Sequence, residues 1–174
     1  DSVSRLDTIA SVHVGLVTGY ERAFLNDVHG NIEVLVRQGL SRRYVLPSGP
    51  LDPLVKTALE PHKDALIARK IRRFDHHNWY EWGALRNIRL MEGRKGDPCV
   101  YLTSLTRSLT PAFIGNIGYF GHGLLCIVPK PNQSVDLDKL VSYLNSERFR
   151  ESRTQSGRFR IGQRELSVAE VPND

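Results

Sequence analysis

A chain of 174 residues, 40% hydrophobic and 25% charged with a net charge of +5, can bury one sizeable core or two small ones that share an interface. Its longest apolar run, Leu124-Leu125-Cys126-Ile127-Val128, has the length of a buried strand. It falls far short of the roughly 20 residues that cross a bilayer, which excludes a helical membrane span. The opening Asp1-Ser2-Val3-Ser4-Arg5 has neither an initiator Met nor a signal-peptide pattern and reads as the start of an excised piece.

In chain order, residues 12–18 alternate as a strand and Gly19 breaks it. Ala23-Phe24-Leu25 reads as the second strand of a hairpin, and Ile32 to Gly39 as a short helix ended by its glycine, with a strand as the alternative. Arg43-Tyr44-Val45-Leu46 is extended and stops at Pro47-Ser48-Gly49-Pro50. A helix is predicted over about 53–73, broken near Pro61, because Ile67, Ile71 and Phe74 fall at i, i+4 and i+7. Val100-Tyr101-Leu102-Thr103, Ala112-Phe113-Ile114 and Leu124 to Val128 read as strands, the last closed by Pro129. Ser134 or Asp136 caps a second helix, about 135–148, along the stripe Leu137, Leu140, Val141 and Leu144. Arg158-Phe159-Arg160-Ile161-Gly162 is a basic extended piece. Strands and helices are interspersed without a βα repeat, which predicts an α+β fold of small mixed or antiparallel sheets with two main helices, and one domain over 1–174.

Cys99 and Cys126 sit one in each of two strand-like runs and lack Cys-x-x-Cys spacing, so they read as reduced core thiols of a cytoplasmic protein rather than zinc ligands. Gly115 to Gly121 resembles a nucleotide loop only by letter count, since it precedes a strand where a nucleotide fingerprint opens a helix. His76 and His77 are adjacent, and adjacent residues of an extended segment face opposite sides, which argues against a shared metal ion. No nucleophile stands in a recognisable setting, so neither catalytic, cofactor-binding nor metal residues are assigned.

The arginines carry more information. Arg69, Lys70, Arg72, Arg73, Arg86, Arg89, Arg94 and Lys95 crowd the middle, and Arg148, Arg150, Arg153, Arg158, Arg160 and Arg164 crowd the end. The planar guanidinium suits phosphates and base edges, because its fork bonds oxygen pairs. Trp79-Tyr80-Glu81-Trp82 follows the first cluster, and if extended it sends at least one aromatic pair into the core. Arg86 and Asn87 are the residue types that read guanine and adenine edges; a structural arginine–carboxylate pair is the other reading of Arg86. The candidate DNA-contacting residues are Arg72, Arg73, Trp79, Tyr80, Arg86, Asn87, Arg107, Ser108, Arg158 and Arg160.

These pieces resemble, in order and spacing, the C-terminal target-recognition domain of the TaqI-like adenine-specific DNA methyltransferases of restriction–modification systems. The matching segments are Val14 to Gly19 with Ala23-Phe24; Ala65 to Arg69 followed by Trp79 to Trp82; Cys99 to Thr103; Ala112-Phe113; Tyr119 to Pro129; and Leu140 to Ser146 followed by Ser156 to Gly162. The resemblance implies a domain that selects a duplex DNA sequence. A separate N-terminal catalytic domain would bind S-adenosylmethionine and methylate a flipped-out adenine. It implies no catalysis by this chain, whose Asp52-Pro53-Leu54 and Asp97-Pro98-Cys99 lack the Pro-Pro-aromatic motif of amino methylation. A recognition module of a separate specificity subunit, and a protein–protein module with solvated basic faces, are the alternatives.

Overall fold

The computed structural model describes residues 2–48 and 51–172; Gly49 and Pro50 of the expected proline stop lie outside them. The chain opens with β1 (Val3–Arg5), the single-turn helix α1 (Leu6–Ile9), β2 (Ala10–Val14) and a second single turn, α2 (Glu21–Phe24). Strands β3 (Ile32–Arg37) and β4 (Leu40–Tyr44) precede α3 (Pro53–Leu59), a 3-10 turn over Glu60–His62 and α4 (Lys63–Ile67). Then come α5 (Ile88–Gly93), β5 (Pro98–Thr103), β6 (Leu105–Thr106), β7 (Ala112–Asn116) and β8 (Leu124–Pro129). The chain continues through α6 (Leu137–Leu144), α7 (Glu147–Glu151), β9 (Thr154–Gln155), β10 (Arg158–Arg160), α8 (Gln163–Val168) and β11 (Glu170–Pro172). The α+β expectation holds.

A four-stranded antiparallel sheet, ordered β2-β8-β5-β7, divides the interior. Successive strand residues face opposite sides, and both sides are covered. Cys99, Tyr101, Leu124, Cys126 and Val128 join Phe24, Leu59, Leu66, Trp79 and Trp82 in one core. Val100, Leu102, Leu125 and Ile127 join Leu6, Leu140, Leu144, Phe149, Phe159 and Leu166 in the other. Double-sided burial explains why Leu124 to Val128 is apolar at every position, and each such side chain contributes roughly 1.5–3 kcal/mol on leaving water. Both cysteines are free and buried in the core, as expected. The neighbouring Cys99 thiol, together with burial, pushes the Cys126 thiol well above its ordinary range, which keeps it protonated and inert.

Three smaller pairings surround this sheet: the hairpin β3-β4, the three-stranded β6-β10-β9, and β1 with β11. Several local expectations are corrected by them. Ile32 to Gly39 is a strand and turn, not a helix; Val34 points into the core, and Gly39 at φ 73° turns the chain into β4. Ala23-Phe24-Leu25 is not a strand. It ends a helical turn that buries Phe24, and only Leu25 is extended enough to bridge Tyr44. The 53–73 helix breaks at Glu60–His62 as predicted, but stops at Ile67, and Ile71 is left 49% exposed. The 135–148 helix divides: Asp136 caps α6 through the Lys139 amide, and Ser146 caps α7 through the Phe149 amide.

Candidate nucleic-acid interface

Strand directions bring distant loops together. Val14, Thr103, Ala112 and Leu124 all lie at one end of the central sheet, through the pairs Val14↔Leu125, Thr103↔Leu124 and Leu102↔Ala112. The loop after β2, the loop holding β6, and the entry to β8 therefore emerge on the same side. Backbone bonds draw in the C-terminal arm: the Ser104 amide donates to the Gly123 carbonyl at 3.1 Å, and the Ile161 amide donates to the Ser104 carbonyl at 2.9 Å. The small sheet β6-β10-β9 continues from β5 beyond that end. The sequence-derived segments around Arg107 and Arg158 to Arg160 meet there, and Arg86 is tied to Gly15, just past β2 at the same end.

Arg86 is exposed, and its Nε donates to the Gly15 carbonyl at 3.2 Å, directly past β2. Among the described residues its two terminal nitrogens have no partner. The base of the side chain is oriented while its fork stays free, and no carboxylate holds it. Asn87 is different. At φ 63° it starts α5, its Nδ2 donates to the Val14 carbonyl at 2.9 Å, and its Oδ1 lies 3.3 Å from Nδ1 of His13. Both ends of the amide serve the fold, each keeping one further hydrogen or lone pair. Burial holds His13 below its ordinary range, against the stabilising bond to Asn87 and with Arg94 adding to the lowering.

Arg107 reaches across to the Ser156 carbonyl at 3.0 Å, tying the β6 loop to the β9–β10 turn. That turn has two central residues, Ser156 at φ 54° and Gly157 at φ 77°, the type I′ arrangement that matches strand twist. Ser108 is exposed, its amide donating to Thr106 Oγ1 at 3.0 Å and its hydroxyl 3.2 Å from that of Thr110. Arg158 and Arg160 project from the exposed face of β10 while Phe159 between them is buried. Neither guanidinium has a partner among the described residues.

The central basic cluster is redistributed. Arg69, only 8% exposed, donates from Nε to the Leu66 carbonyl and from its terminal nitrogens to the carbonyls of Thr18 and Trp79. It stacks 3.7 Å over Phe74. Burial, with Arg72 nearby, pushes it down to about 10, so it is still charged at neutral pH. Arg72 donates to the carbonyls of Gly83 and Trp82 and pairs with Glu81 at 3.1 Å. These two arginines clasp the 79–83 segment, which is a run of turns rather than the extended piece expected. Both tryptophans face the core at 4% and 3% exposure, and Tyr80 packs edge-on against Trp79. Of this cluster Lys70, Arg73, Arg89 and Lys95 are exposed without a side-chain partner among the described residues.

Gly115 to Gly121 runs from the end of β7 toward β8. Gly115 and Asn116 end β7, a Cβ at Gly115 would meet the Tyr101 ring at 2.9 Å, and the segment leads into β8 rather than a helix. No known family model matches the chain. The type II methyltransferase M.MjaIV of Methanocaldococcus jannaschii is 25% identical over 198 aligned residues, taking in 96% of this chain and 66% of that protein. This chain is similar to a type II methyltransferase. It spans just under two thirds of that relative's length.

Sequence reasoning missed Arg37 and Gln163. Leu35 exchanges backbone bonds with Tyr119 and Gly121, so the β3–β4 turn with its exposed Arg37 follows the chain toward the same sheet end. Gln163 Nε2 donates to the Val12 carbonyl at 2.7 Å and anchors α8 against β2. Only sheet topology brings these residues close; nothing in local composition marks them.

Proposed function

We propose that this chain is a duplex-DNA recognition domain that positions a target adenine for methylation from S-adenosylmethionine by a separate catalytic domain. The observation that carries the proposal is the convergence of Arg86, Arg107, Arg158 and Arg160 from three separate loops at one end of the central sheet. Arg107 fastens two of those loops together, and the guanidinium forks of Arg86, Arg158 and Arg160 have no partner among the described residues. Phosphate contacts position a protein on DNA and base-edge contacts give the sequence preference, so one arginine-rich surface can do both. The similarity to a type II methyltransferase supports the methylation context.

The test is selection of bound duplexes from a random pool, followed by anisotropy titrations of the selected duplex and a scrambled one. A selected sequence is expected, with log affinity falling linearly in log salt. Arg86→Ala is expected to relax the preference at one position by about 1–3 kcal/mol of discrimination. Equal weakening on every sequence would make Arg86 a phosphate contact. Failure to select any sequence at physiological salt would overturn the recognition function. Adding the catalytic domain, on the same chain or another, should convert binding into adenine methylation at the selected site.

A further inference from the structure

Between the β9–β10 hairpin and α8 lies a cleft of about 490 Å³, lined by residues that include Arg153, Arg158, Arg160, Thr154, Gly162 and Glu165. Arg153 forms its floor. The guanidinium lies 4.1 Å over the Phe149 ring, and Nη1 donates to the Phe149 carbonyl at 2.9 Å and lies 3.2 Å from the Ser152 hydroxyl. Its Nε is shielded from water and stands 3.1 Å from a Glu165 oxygen, close enough for ion pairing but badly angled for a hydrogen bond. The Arg153 side chain is 19% exposed and that of Glu165 50%. One partner of this pair is therefore built into the fold, and the other stands half-exposed at the mouth.

Arg158 and Arg160 stand on the same face of β10, roughly 7 Å apart at two residues of strand rise. They bring two further positive charges without a partner among the described residues. Three guanidiniums and one carboxylate leave the cleft short of negative charge. A phosphate group supplies what is missing, because its oxygens accept paired guanidinium bonds as a carboxylate does, with more charge to share. We propose that the cleft is a phosphate seat in which Glu165 is the place-holder, displaced from Arg153 when a phosphate ester enters. Taking that ester as a DNA backbone phosphate rests on the recognition function above; a free phosphate compound offers the same chemistry. A resident carboxylate opposes phosphate entry on every sequence equally. Glu165 therefore lowers affinity for every duplex by the same factor and leaves the ratio of preferred to non-specific binding unchanged.

The experiment uses the full chain with Glu165→Gln and an Arg158→Gln/Arg160→Gln double variant, each checked for thermal melting. Glu165→Gln should tighten binding to the scrambled and the selected duplex alike, by about 3-fold or more. The double variant should lower the salt slope by about one, since the single seated phosphate loses its exposed arginines. In parallel, inorganic pyrophosphate is titrated while the amide resonances of Thr154 and Gly162 are followed. Shifts saturating at lower concentration in Glu165→Gln, and abolished in the double variant, support the seat. Duplex binding with none of these variant effects and no amide shifts overturns the seat and leaves recognition standing. Amide shifts in a chain that binds no duplex overturn recognition and assign the seat to a small phosphate compound. Shifts together with a duplex affinity indifferent to both variants overturn the backbone-phosphate assignment.

Discussion

Arg69 shows how a cation can be held in a core by backbone carbonyls rather than by a directly paired carboxylate. Its three donors meet the carbonyls of Leu66, Thr18 and Trp79, joining segments that share no regular secondary structure. A lysine keeps the charge but has no planar fork to reach three fixed acceptors. Arg69→Lys should cost about 2–4 kcal/mol, as buried carbonyls lose charge-assisted donors; a variant that melts with the wild type would dissociate the fork from stability. His13 makes a different prediction. Its proton is held more weakly in the fold than in the unfolded chain, whose ordinary value is 6.5. Stability should therefore be full above that value and fall as the pH drops below it. A His13→Gln variant should show a shallower loss between neutral pH and about pH 5, measured by denaturant midpoint. Parallel curves would clear His13 of the acid sensitivity. Neither role is legible in the sequence, where Arg69 looks like Arg73 and His13 like any strand residue. Burial of each polar side chain is decided by partners far along the chain, Thr18 for Arg69 and Asn87 for His13.

At the scale of elements, the β9–β10 hairpin is the part most exposed to substitution. Its turn requires two positive φ values, at Ser156 and Gly157. Gly157→Ala should cost about 1 kcal/mol, which for a chain of this size lowers the melting temperature by about 2–4 °C. A Cβ there would also stand 3.1 Å from Arg107 Nη1, the atom that fastens the neighbouring loop. Amide exchange in 154–160 should rise first; exchange unchanged there with a lower melting point would place the strain elsewhere. The elements also differ in how plainly the sequence announces them. Leu124 to Val128 and Val100 to Thr103 are apolar on both faces and too short for a helix, so only a buried strand suits them. Ile32 to Gly39 mixes Val34, Leu35 and Val36 with Glu33, Arg37 and Gln38, a pattern that either period accommodates. Its partner β4 decides the matter. Trp79 to Trp82 looks extended in the sequence because the arginines that fold it into turns act from outside the segment.

Across the whole molecule, one sheet buried on both faces carries the stability, and its far-reaching loops carry the proposed recognition. This separation lets base-reading residues vary without disturbing Val100, Leu125 or Ile127. The α+β class and most strands of the central sheet are readable from the chain alone. The meeting of the Arg86, Arg107 and Arg158 loops is not, since it follows from strand order β2-β8-β5-β7 and local residue patterns do not encode strand order.

The pairing of β1 with β11 sets Val3 opposite Pro172 and Arg5 opposite Glu170, so the first and last strands run antiparallel and close a ring. Joining residues 2 and 172 through a short glycine-serine bridge and cutting the loop between β4 and α3 should yield a circularly permuted protein with the same two cores. Such a permutant is expected to melt cooperatively and keep its duplex preference; loss of cooperative melting would mean that the order in which the strands are made, and not only their adjacency, matters to this fold.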